Sequence, residues 1–425
     1  MTAGSKQNAV SIFDIHLRIG IVALALAVML ATTLIAAPAA QAQTFSVIHT
    51  STDAGDGGEP YAGLSMDRAG SFYGTTNTGA GGGGTVFRLK RAGSGWVLTT
   101  LYAFQNDGGG RPTGGVIVGP DGSVYGMTQY GGTGCSPNGC GTVYMLRPPA
   151  AVCKAVSCPW TKTILYSFQG YPDGGYPEFG SLTLDKYGNL YGATAGEGAN
   201  LMGTVFRMTP SNGGWTESVL YNFTGGADGA LPYSTVTIDG AGNLYGTTFA
   251  GGDAGGSVYE LSPSGSGWTE KTLYTFTGGS DGYQLVGGVA IDQQGNLYGG
   301  TEKGGVPAEG TAFELTPSGG GWTYTLLQSF SGYDGPFSTP TLDAAGNVYL
   351  TSIFSTLDGS SQAGGVYKLT RSHGGWSTSA LYTFTGGNDG NIPAGSVILD
   401  GNGNIYGTTV AGGSYNQGVI FEIKP

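Results

Sequence analysis

The chain has 425 residues, including 83 Gly and 19 Pro, and its formal net charge is −11 at pH 7. An aromatic content of 11%, a hydrophobic content of 39% and only 11% charged residues argue against intrinsic disorder, which favours few aromatics and high charge. The acidic balance argues against nucleic-acid binding, because phosphate recognition needs clustered Lys and Arg, and the sequence has no such cluster.

Residues 1–42 are predicted to be a signal peptide. Lys6 and Arg18 precede a nearly continuous apolar run over residues 19–35, and Ala40-Gln41-Ala42 forms a small-x-small cleavage site. An uncleaved membrane anchor is the alternative, since such a run could almost span a bilayer. We expect cleavage, export to the periplasm or the extracellular space, and no membrane span in the mature chain.

A short motif recurs seven times at intervals of about 50 residues: Gly, a small or polar residue, an aliphatic or aromatic residue, and Tyr. An alternating strand-like run precedes each copy. Gly-Thr-Val-Phe or a variant follows it, and then a Trp-led run ending in Leu-Tyr-x-Phe or a variant. Alternating apolar residues between Gly-rich turns indicate half-buried strands, and four strands in this period predict a β-propeller blade. The motif tyrosines are Tyr73, Tyr125, Tyr191, Tyr245, Tyr298, Tyr349 and Tyr406.

The fourth strand is one copy short, since the chain has 6 Trp residues and each begins one Trp-led run. The segment from Phe45 to Thr50 supplies the missing copy, because it leads into Asp56-Gly57 as the other outer strands lead into Asp-Gly. We therefore predict an all-β fold, a single seven-bladed β-propeller of four-stranded blades over residues 43–425. The N-terminal strand over residues 45–50 completes the last blade and leaves only short, protected edges.

Asp-Gly follows every outer strand. The interpretation we favour is a turn, in which Asp bonds its own backbone and Gly supplies a positive φ. A ring of carboxylates that bind Ca²⁺ is the alternative, but each copy offers one or two carboxylates where calcium takes about six to eight oxygens. We predict no metal site. The residues are Asp56, Asp107, Asp173, Asp228, Asp281, Asp334 and Asp389.

A second set of Asp residues stands three positions before the Gly of the Tyr motif. Because this Asp recurs in six of the seven copies, it is predicted to cap a hairpin turn. A catalytic carboxylate would normally be a singular residue. The set comprises Asp67, Asp185, Asp239, Asp292, Asp343 and Asp400.

Four Cys residues form two Cys-x4-Cys pairs, and export makes disulfides the natural interpretation, with zinc as the alternative. The strand over residues 141–146 separates the pairs by roughly 20 Å, whereas a disulfide needs Cα atoms within about 7 Å. We predict the local pairings Cys135–Cys140 and Cys153–Cys158.

No catalytic residue and no cofactor are predicted. The His residues His16, His49 and His373 show neither metal-ligand spacing nor a Ser-His-Asp arrangement. Paired carboxylates of a glycosidase remain an alternative, because such residues can be far apart in sequence. The non-repeated candidates, which solvated loop charge explains equally, are Glu178, Glu197, Glu302 and Glu309.

The linked motifs resemble a known family. Gly-Asn-Leu-Tyr-Gly-Thr-Thr, Gly-Thr-Val-Phe and Leu-Tyr-x-Phe before Gly-Gly-x-Asp-Gly are similar to the GloVer-type (Gloeo/Verruco) tandem repeat of exported, choice-of-anchor bacterial proteins. The resemblance covers about residues 44 to 425. It implies export and a repeat scaffold, and it implies no reaction. The sixth copy departs from the pattern, with Leu350 in place of Gly after Tyr349.

We expect a monomeric, non-enzymatic binding scaffold with a carbohydrate or protein partner at the cell envelope. A propeller enzyme acting on polysaccharide or a small extracellular molecule is the alternative. Any ligand should bind the face made by the Asp-Gly connections and the loops between second and third strands, because those loops vary while the opposite hairpins repeat. Aromatic side chains with few charges suit sugar rings. The candidate ligand-binding residues are Tyr61, Tyr130, Tyr176, Tyr233, Phe249, Tyr283, Phe337, Phe354 and Tyr415.

Overall fold

The computed structural model describes residues 43–79, 81–105, 110–149, 159–252, 255–306, 309–354, 357, 362–372 and 374–425. The predicted signal peptide, Asp107, the Cys153–Cys158 pair and His373 lie outside the described residues. Residues Thr44–Lys424 form one compact unit. The described part of this unit contains strands and turns but no helix, and therefore no helix that could cross a membrane.

The unit consists of seven four-stranded antiparallel sheets, the blades of a β-propeller. The strands of blades 1, 2 and 3 are β2 (Ser65–Met66), β3 (Phe72–Thr76), β4 (Thr85–Ala92), β5 (Gly95–Ala103), β6 (Ile117–Val118), β7 (Val124–Thr128), β8 (Thr142–Arg147), β9 (Thr161–Ser167), β10 (Thr183–Leu184), β11 (Leu190–Thr194), β12 (Thr204–Ser211) and β13 (Gly214–Asn222). Those of blades 4, 5 and 6 are β14 (Thr237–Ile238), β15 (Leu244–Thr248), β16 (Ser257–Ser264), β17 (Gly267–Thr275), β18 (Ala290–Ile291), β19 (Leu297–Thr301), β20 (Thr311–Ser318), β21 (Gly321–Ser329), β22 (Thr341–Leu342), β23 (Val348–Ser352), β24 (Gly365–Ser372) and β25 (Gly375–Thr383). Those of blade 7 are β26 (Ile398–Leu399), β27 (Ile405–Thr409), β28 (Val419–Lys424) and β1 (Thr44–Thr50).

The second strand of every blade is buried along its whole length. Gly follows the motif Tyr in six blades because an aromatic ring of the third strand lies across it. A Cβ at Gly246, for example, would lie 2.3 Å from Tyr259 Oη. In blade 6 Leu350 fills this position, and the ring of Tyr367 instead lies beside Gly365, where a Cβ would be 2.5 Å from Tyr367 Oη. Blade 6 thus departs from the repeat twice, with Leu350 in place of Gly and with Gly365 in place of the Thr or Ser of most other blades. The two departures compensate each other.

The N-terminal strand closes the ring, as the strand count predicted. Strand β1 pairs with β28 in antiparallel register from Thr44↔Lys424 to Thr50↔Val419. On the inner side, Thr408 Oγ1 of blade 7 donates a 2.8 Å hydrogen bond to the Ala62 carbonyl of blade 1. Strand β1 thus completes blade 7, and the second strand of blade 7 is bonded to the segment that precedes the first strand of blade 1.

The hydrophobic core lies between the blades, in seven clusters that each combine residues of two neighbours. The Trp that begins an outer strand packs edge-on against the motif Tyr of the preceding blade. Ring centroids are 5.9 Å apart for Trp215 and Tyr125, and 5.8 Å apart for Trp376 and Tyr298. The repeated Trp and Tyr therefore make contacts between neighbouring blades.

The residue two positions after each Trp faces the outer strand of the preceding blade. Tyr324 stacks there on Tyr274 at 4.9 Å. In blade 3 the position holds Glu217, whose Oε1 atom is buried without a hydrogen-bond partner. Burial, and after it the charge of Asp173, raises the pKa of Glu217 to about 7. The folded protein therefore holds a proton that the unfolded chain releases above about pH 4.3.

Replacement of Glu217 by Gln is expected to stabilise the protein at pH 8 by about 1–3 kcal/mol. A carboxyl whose folded pKa is raised costs stability as the pH rises from about 4.3 to 7, because the charged form is disfavoured only in the folded state. The gain should shrink towards pH 4.5. Urea midpoints at pH 8 and pH 4.5 measure this gain in stability.

Glu270→Gln, at the same position of blade 4, is the control. Glu270 accepts a 2.9 Å bond from Thr272, so a smaller gain is expected. A Glu217→Gln midpoint at pH 8 no higher than that of the unchanged protein would refute the prediction.

Candidate functional site

The Asp-Gly connections and the loops between second and third strands lie on one side of the propeller, which we call the Asp-Gly face. In each blade a short backbone bridge joins the two segments. Examples are Gly58↔Thr78 in blade 1, Ala230↔Ala250 in blade 4 and Asn391↔Ala411 in blade 7. The Asp-x-x-Gly hairpins lie on the opposite side, which we call the hairpin face. The predicted ligand-binding residues thus belong to one face.

Most of the described Asp-Gly carboxylates accept turn hydrogen bonds, whereas Asp334 pairs with Lys303. The carboxylates that accept turn bonds are Asp56, Asp173, Asp228, Asp281 and Asp389. Asp228 accepts bonds from the backbone N–H of Thr224 (2.7 Å), from the Thr224 hydroxyl and from Tyr221 Oη (3.0 Å). In the closing blade His49 takes the place of the Tyr, and its Nε2 lies 3.0 Å from Asp56 Oδ2. No group of three or more His, Cys, Asp or Glu side chains in the described ranges could hold a metal ion.

A residue shortly after the Asp-Gly aspartate has an unusual backbone conformation in six blades, three positions after it in five of them and four positions after it in blade 2. Its φ lies in the left-handed region, which L-residues rarely adopt. Its carbonyl accepts a bond from the residue that follows the second strand, as Leu231 does from Phe249 N–H (3.1 Å). Its N–H donates a hydrogen bond to a carbonyl in the loop of the preceding blade, as the Leu231 N–H does to the Met202 carbonyl (3.0 Å). This strained position holds neighbouring loops in register around the axis. The residues are Glu59, Arg111, Tyr176, Leu231, Gln284 and Ile392.

An aromatic cluster stands at the centre of the Asp-Gly face. Phe179 of blade 3 lies at its middle. Its ring centroid is 5.4 Å from Phe337 of blade 6, 5.9 Å from Tyr233 of blade 4 and 6.2 Å from Tyr61 of blade 1. Tyr233 also contacts Phe249 at 5.1 Å. Since blades 1, 4 and 6 are not neighbours, Phe179 must lie near the propeller axis.

Blade 7 and the end of β23 extend this cluster. Ile353, Ala394 and Val410 form a buried group, and Tyr61, Phe337, Phe354 and Ile392 pack against it half-buried. Five of the nine predicted residues, Tyr61, Tyr233, Phe249, Phe337 and Phe354, therefore surround Phe179 or the apolar group beside it. We call these five residues and Phe179 the axial cluster.

The central channel below the axial cluster is closed. The cavity along the axis has a volume of about 50 Å³, which is room for one or two water molecules. Inner strands of neighbouring blades meet backbone to backbone, and a Cβ at Gly114 would lie 2.0 Å from the Gly180 carbonyl oxygen. A Cβ at Gly63 would lie 2.3 Å from the Ser396 carbonyl oxygen. The space along the axis is therefore too small for a sugar ring.

Polar side chains border the cluster on the side of blades 1 to 3. Gln129 Nε2 donates to Glu178 Oε1 (2.5 Å), and Asn77 Nδ2 donates to Glu59 Oε2 (3.0 Å). Arg111 lies over the ring of Tyr130, with its Cζ atom 5.9 Å from the ring centroid. Polar groups thus lie beside the aromatic rings on this side of the face.

Burial changes the acidity of the groups in this region. It raises the pKa of Glu178, against a hydrogen bond from Gln129 that lowers it. Burial also raises the pKa of Tyr61 and of Tyr233. Glu302 of blade 5 has a pKa raised by burial and, secondly, by Asp334. Both tyrosines therefore present neutral hydroxyls at neutral pH.

The disulfide Cys135–Cys140 is formed, with its Cα atoms 5.1 Å apart, as the spacing predicted. It closes the loop between second and third strands of blade 2 on the Asp-Gly face. The Cys140 carbonyl accepts a 2.7 Å bond from the Tyr176 N–H. The ring of Tyr176 is 6.2 Å from that of Tyr130. The disulfide loop thus supports a second aromatic pair beside the axial cluster.

The remaining predicted residues lie apart from the cluster. Tyr283 is half-buried, and its backbone bridges to Lys303. Tyr415 lies in a loop of blade 7 with 63% of its surface exposed. Phe179 itself was not among the sequence candidates. The one signal for it is an extra residue in blade 3: five residues separate Pro177 from the first strand, whereas four separate the corresponding Pro from the first strand in blades 1, 2, 4, 6 and 7.

Comparisons with known proteins identify the repeat. The family model described as the Gloeobacter/Verrucomicrobia repeat matches residues 34–255 and 151–352. No curated protein is similar to the chain in sequence.

Three solved structures are similar at low identity. A putative oxidoreductase (glucose dehydrogenase) from Thermus thermophilus is 13% identical and has a TM-score of 0.43, covering 90% of this chain and 100% of its own. A gluconolactonase from Xanthomonas campestris is 12% identical with a TM-score of 0.42, covering 91% and 92%. A protein of unknown function from Dyadobacter fermentans is 13% identical with a TM-score of 0.45, covering 77% and 98%. At these values the similarity supports no statement about activity or substrate.

Proposed function

The chain belongs to the Gloeobacter/Verrucomicrobia repeat family, and we propose that it is an exported, non-enzymatic binding scaffold whose ligand rests on the axial cluster. The observation that carries the proposal is the convergence of Tyr61, Tyr233 and Phe337 from three separate blades on Phe179. Ligand sites are commonly lined by apolar and aromatic side chains with a few placed polar groups. The polar border of Glu178, Gln129 and Glu59 supplies such groups here.

The ligand class that fits this surface is a neutral saccharide. Aromatic faces offer a large contact area to the apolar side of a sugar ring, and tyrosine adds a polar tip. The amide and carboxylate groups of the polar border can bind sugar hydroxyls. A closed channel favours a ligand that lies flat across the face over one that enters it. A protein partner remains the other expectation for a surface of this kind.

Export is part of the same proposal. It is supported by the predicted signal peptide over residues 1–42 and by the Cys135–Cys140 disulfide, since disulfides persist in oxidising compartments. The mature chain is expected to be a monomer in the periplasm or the extracellular space.

A polysaccharide-active enzyme is the second candidate, and Glu178 is the observation that favours it. This carboxyl is half-buried beside the axial cluster, and burial raises its pKa, as general acids require. Oligosaccharides found in a binding screen should be incubated with the protein and with the Glu178→Gln variant, and the products separated by chromatography. Cleavage of an oligosaccharide by the unchanged protein but not by Glu178→Gln would establish that the protein is an enzyme. Oligosaccharide that stays intact with both proteins would support the binding scaffold.

Replacement of axial aromatics is expected to weaken the binding of a neutral oligosaccharide. Each of Tyr233→Ala and Phe179→Ala should reduce the affinity at least about tenfold, since a buried aromatic anchor contributes about 2 kcal/mol or more. The ligand is first identified by screening the mature protein against neutral oligosaccharides, and titration calorimetry then compares the variants.

Tyr187→Ala is the matched control for this experiment. Tyr187 is an exposed aromatic side chain on the hairpin face, so its loss should leave neutral-saccharide binding unchanged. Normal affinity in both axial variants together with weakened binding in Tyr187→Ala would show that the proposed site is wrong. Thermal melting of each variant separates loss of binding from loss of folding.

A further inference from the structure

The hairpin face carries clefts between neighbouring blades, in addition to the Asp-Gly face. Each is bordered by the Asp-x-x-Gly hairpin and motif Tyr of one blade and by the Trp of the next. Their volumes are about 680 Å³ between blades 3 and 4, about 940 Å³ between blades 4 and 5, and about 570 Å³ between blades 7 and 1. These clefts differ from one another in charge.

In two clefts the cationic side chain is neutralised within the protein. Between blades 7 and 1, Arg91 lies 3.3 Å from Glu422 and 4.8 Å from the Trp96 ring centroid. Between blades 5 and 6, Arg371 pairs with Glu314, and its Cζ atom lies 4.9 Å from the Trp376 ring centroid. Both arginines therefore cover their Trp and are paired with a buried Glu.

The cleft between blades 3 and 4 is arranged differently. Pro263 occupies the place of the covering Arg, and the cations in the cleft are Lys186 and Arg207 of blade 3. Within the described ranges neither has a carboxylate oxygen within salt-bridge distance. Lys186 lies 5.1 Å from the ring centroid of Tyr187, and Arg207 Nε is buried without a hydrogen-bond acceptor.

The aspartates that line this cleft are fully engaged. Asp239 accepts bonds from the N–H groups of Ala241 and Asn243, from the Asn243 amide and from Tyr245 Oη. Asp185 accepts the corresponding bonds in blade 3. Their oxygens are directed into the turns. Both aspartates stay negatively charged, but their oxygens bond within the turns and pair with neither cation. Lys186, and Arg207 beside its bond to Tyr191, therefore keep N–H groups that can donate to an anionic ligand.

We propose that the cleft between blades 3 and 4 binds an acidic saccharide unit, a uronate. Its carboxylate would lie at Lys186 and Arg207, and its ring would pack against Trp268 and Tyr187, which line the same cleft. Unpaired cations beside aromatic rings match a ligand that is both anionic and ring-shaped. This site is separate from the axial cluster and takes a ligand of different charge.

The test is calorimetric titration of the mature protein with an oligogalacturonate and with its fully methyl-esterified form. The two sugars share one backbone and differ in the methyl esters, which remove the charge of the carboxyl groups and add a methyl group to each. The oligogalacturonate should bind at least about tenfold more tightly, because charge-assisted hydrogen bonds are lost in the ester. No binding of the oligogalacturonate, or equal binding of the two forms, would overturn the proposal.

Three variants locate the site. Lys186→Gln and Tyr187→Ala change exposed hairpin residues that folding does not need, and each should weaken oligogalacturonate binding about tenfold. Arg91→Gln removes the same charge from a cleft where it is already paired, and it should leave affinity unchanged. An equal loss of oligogalacturonate affinity in Arg91→Gln would show that binding depends on the overall charge of the protein and not on this cleft. Dextran sulfate that binds as tightly as oligogalacturonate, with the same dependence on Lys186, would show a polyanion site and not a saccharide site.

Discussion

Deletion of residues 43–51 is expected to leave the chain expressed but aggregated, with the cooperative melting transition of the full mature protein lost. Strand β1 supplies the outer strand of blade 7, so its removal exposes the edge of β28. Exposed strand edges pair with other chains. The deletion also removes Phe45, whose ring stacks on Tyr382 at 3.7 Å and lies 5.8 Å from Phe421.

The size of this effect follows from the core that the strand covers. Phe45 packs into the cluster between blades 6 and 7, and Ile48 packs into the cluster between blades 7 and 1. Loss of a large apolar side chain from a core costs about 2–5 kcal/mol, so losing both costs much of the stability of a typical domain. Size-exclusion chromatography and thermal melting compare this deletion with the mature chain starting at residue 43. A monomeric deletion variant with an unchanged melting temperature would contradict closure by β1.

Gly114→Ala is expected to destabilise the protein by about 3 kcal/mol, although it adds one methyl group. That methyl would lie 2.0 Å from the Gly180 carbonyl oxygen, and backbone on both sides leaves no flexible side chain to give way. The inner strands of blades 2 and 3 must then separate. Phe179, which directly precedes Gly180, should move with them, so saccharide binding should weaken as well.

Gly240→Ala is the matched control for this substitution. Nothing lies within 4 Å of a Cβ at Gly240, and its φ is not in the left-handed region. Its free energy of unfolding, measured with urea, should stay within about 0.5 kcal/mol of that of the unchanged protein. Equal midpoints for the two variants would mean that the inner ring is looser than the structure indicates.

Much of the fold could be predicted from the sequence because each blade repeats one local pattern. One motif Tyr per blade gives the blade count, and six Trp residues against seven motifs indicate that the chain's first strand completes the ring. Local spacing was also enough for Cys135–Cys140, since the two residues are five positions apart in one loop. The compensation between Leu350 and Gly365 was not predicted, since it depends on which way the ring of Tyr367 points.

The candidate site was predictable only in part. Strand direction places the aromatic loop residues on one face, but it does not tell which of them meet at the axis. Phe179 reaches blades 1, 4 and 6 through a one-residue insertion, and no local pattern encodes contacts between blades that are not adjacent. The glycines at positions 63, 114 and 395 suggest turns in the sequence. In the folded ring they permit the close backbone contacts that seal the channel.

A crystal structure of the mature protein, soaked with the tightest neutral oligosaccharide from the screen, tests the proposed binding site most directly. We predict density for a sugar ring on the Asp-Gly face, in van der Waals contact with Phe179, Tyr233 or Phe337 and with a hydroxyl hydrogen-bonded to Glu178 or Gln129. Density for the sugar on the hairpin face or along the outer strands, with the axial cluster bare, would contradict it.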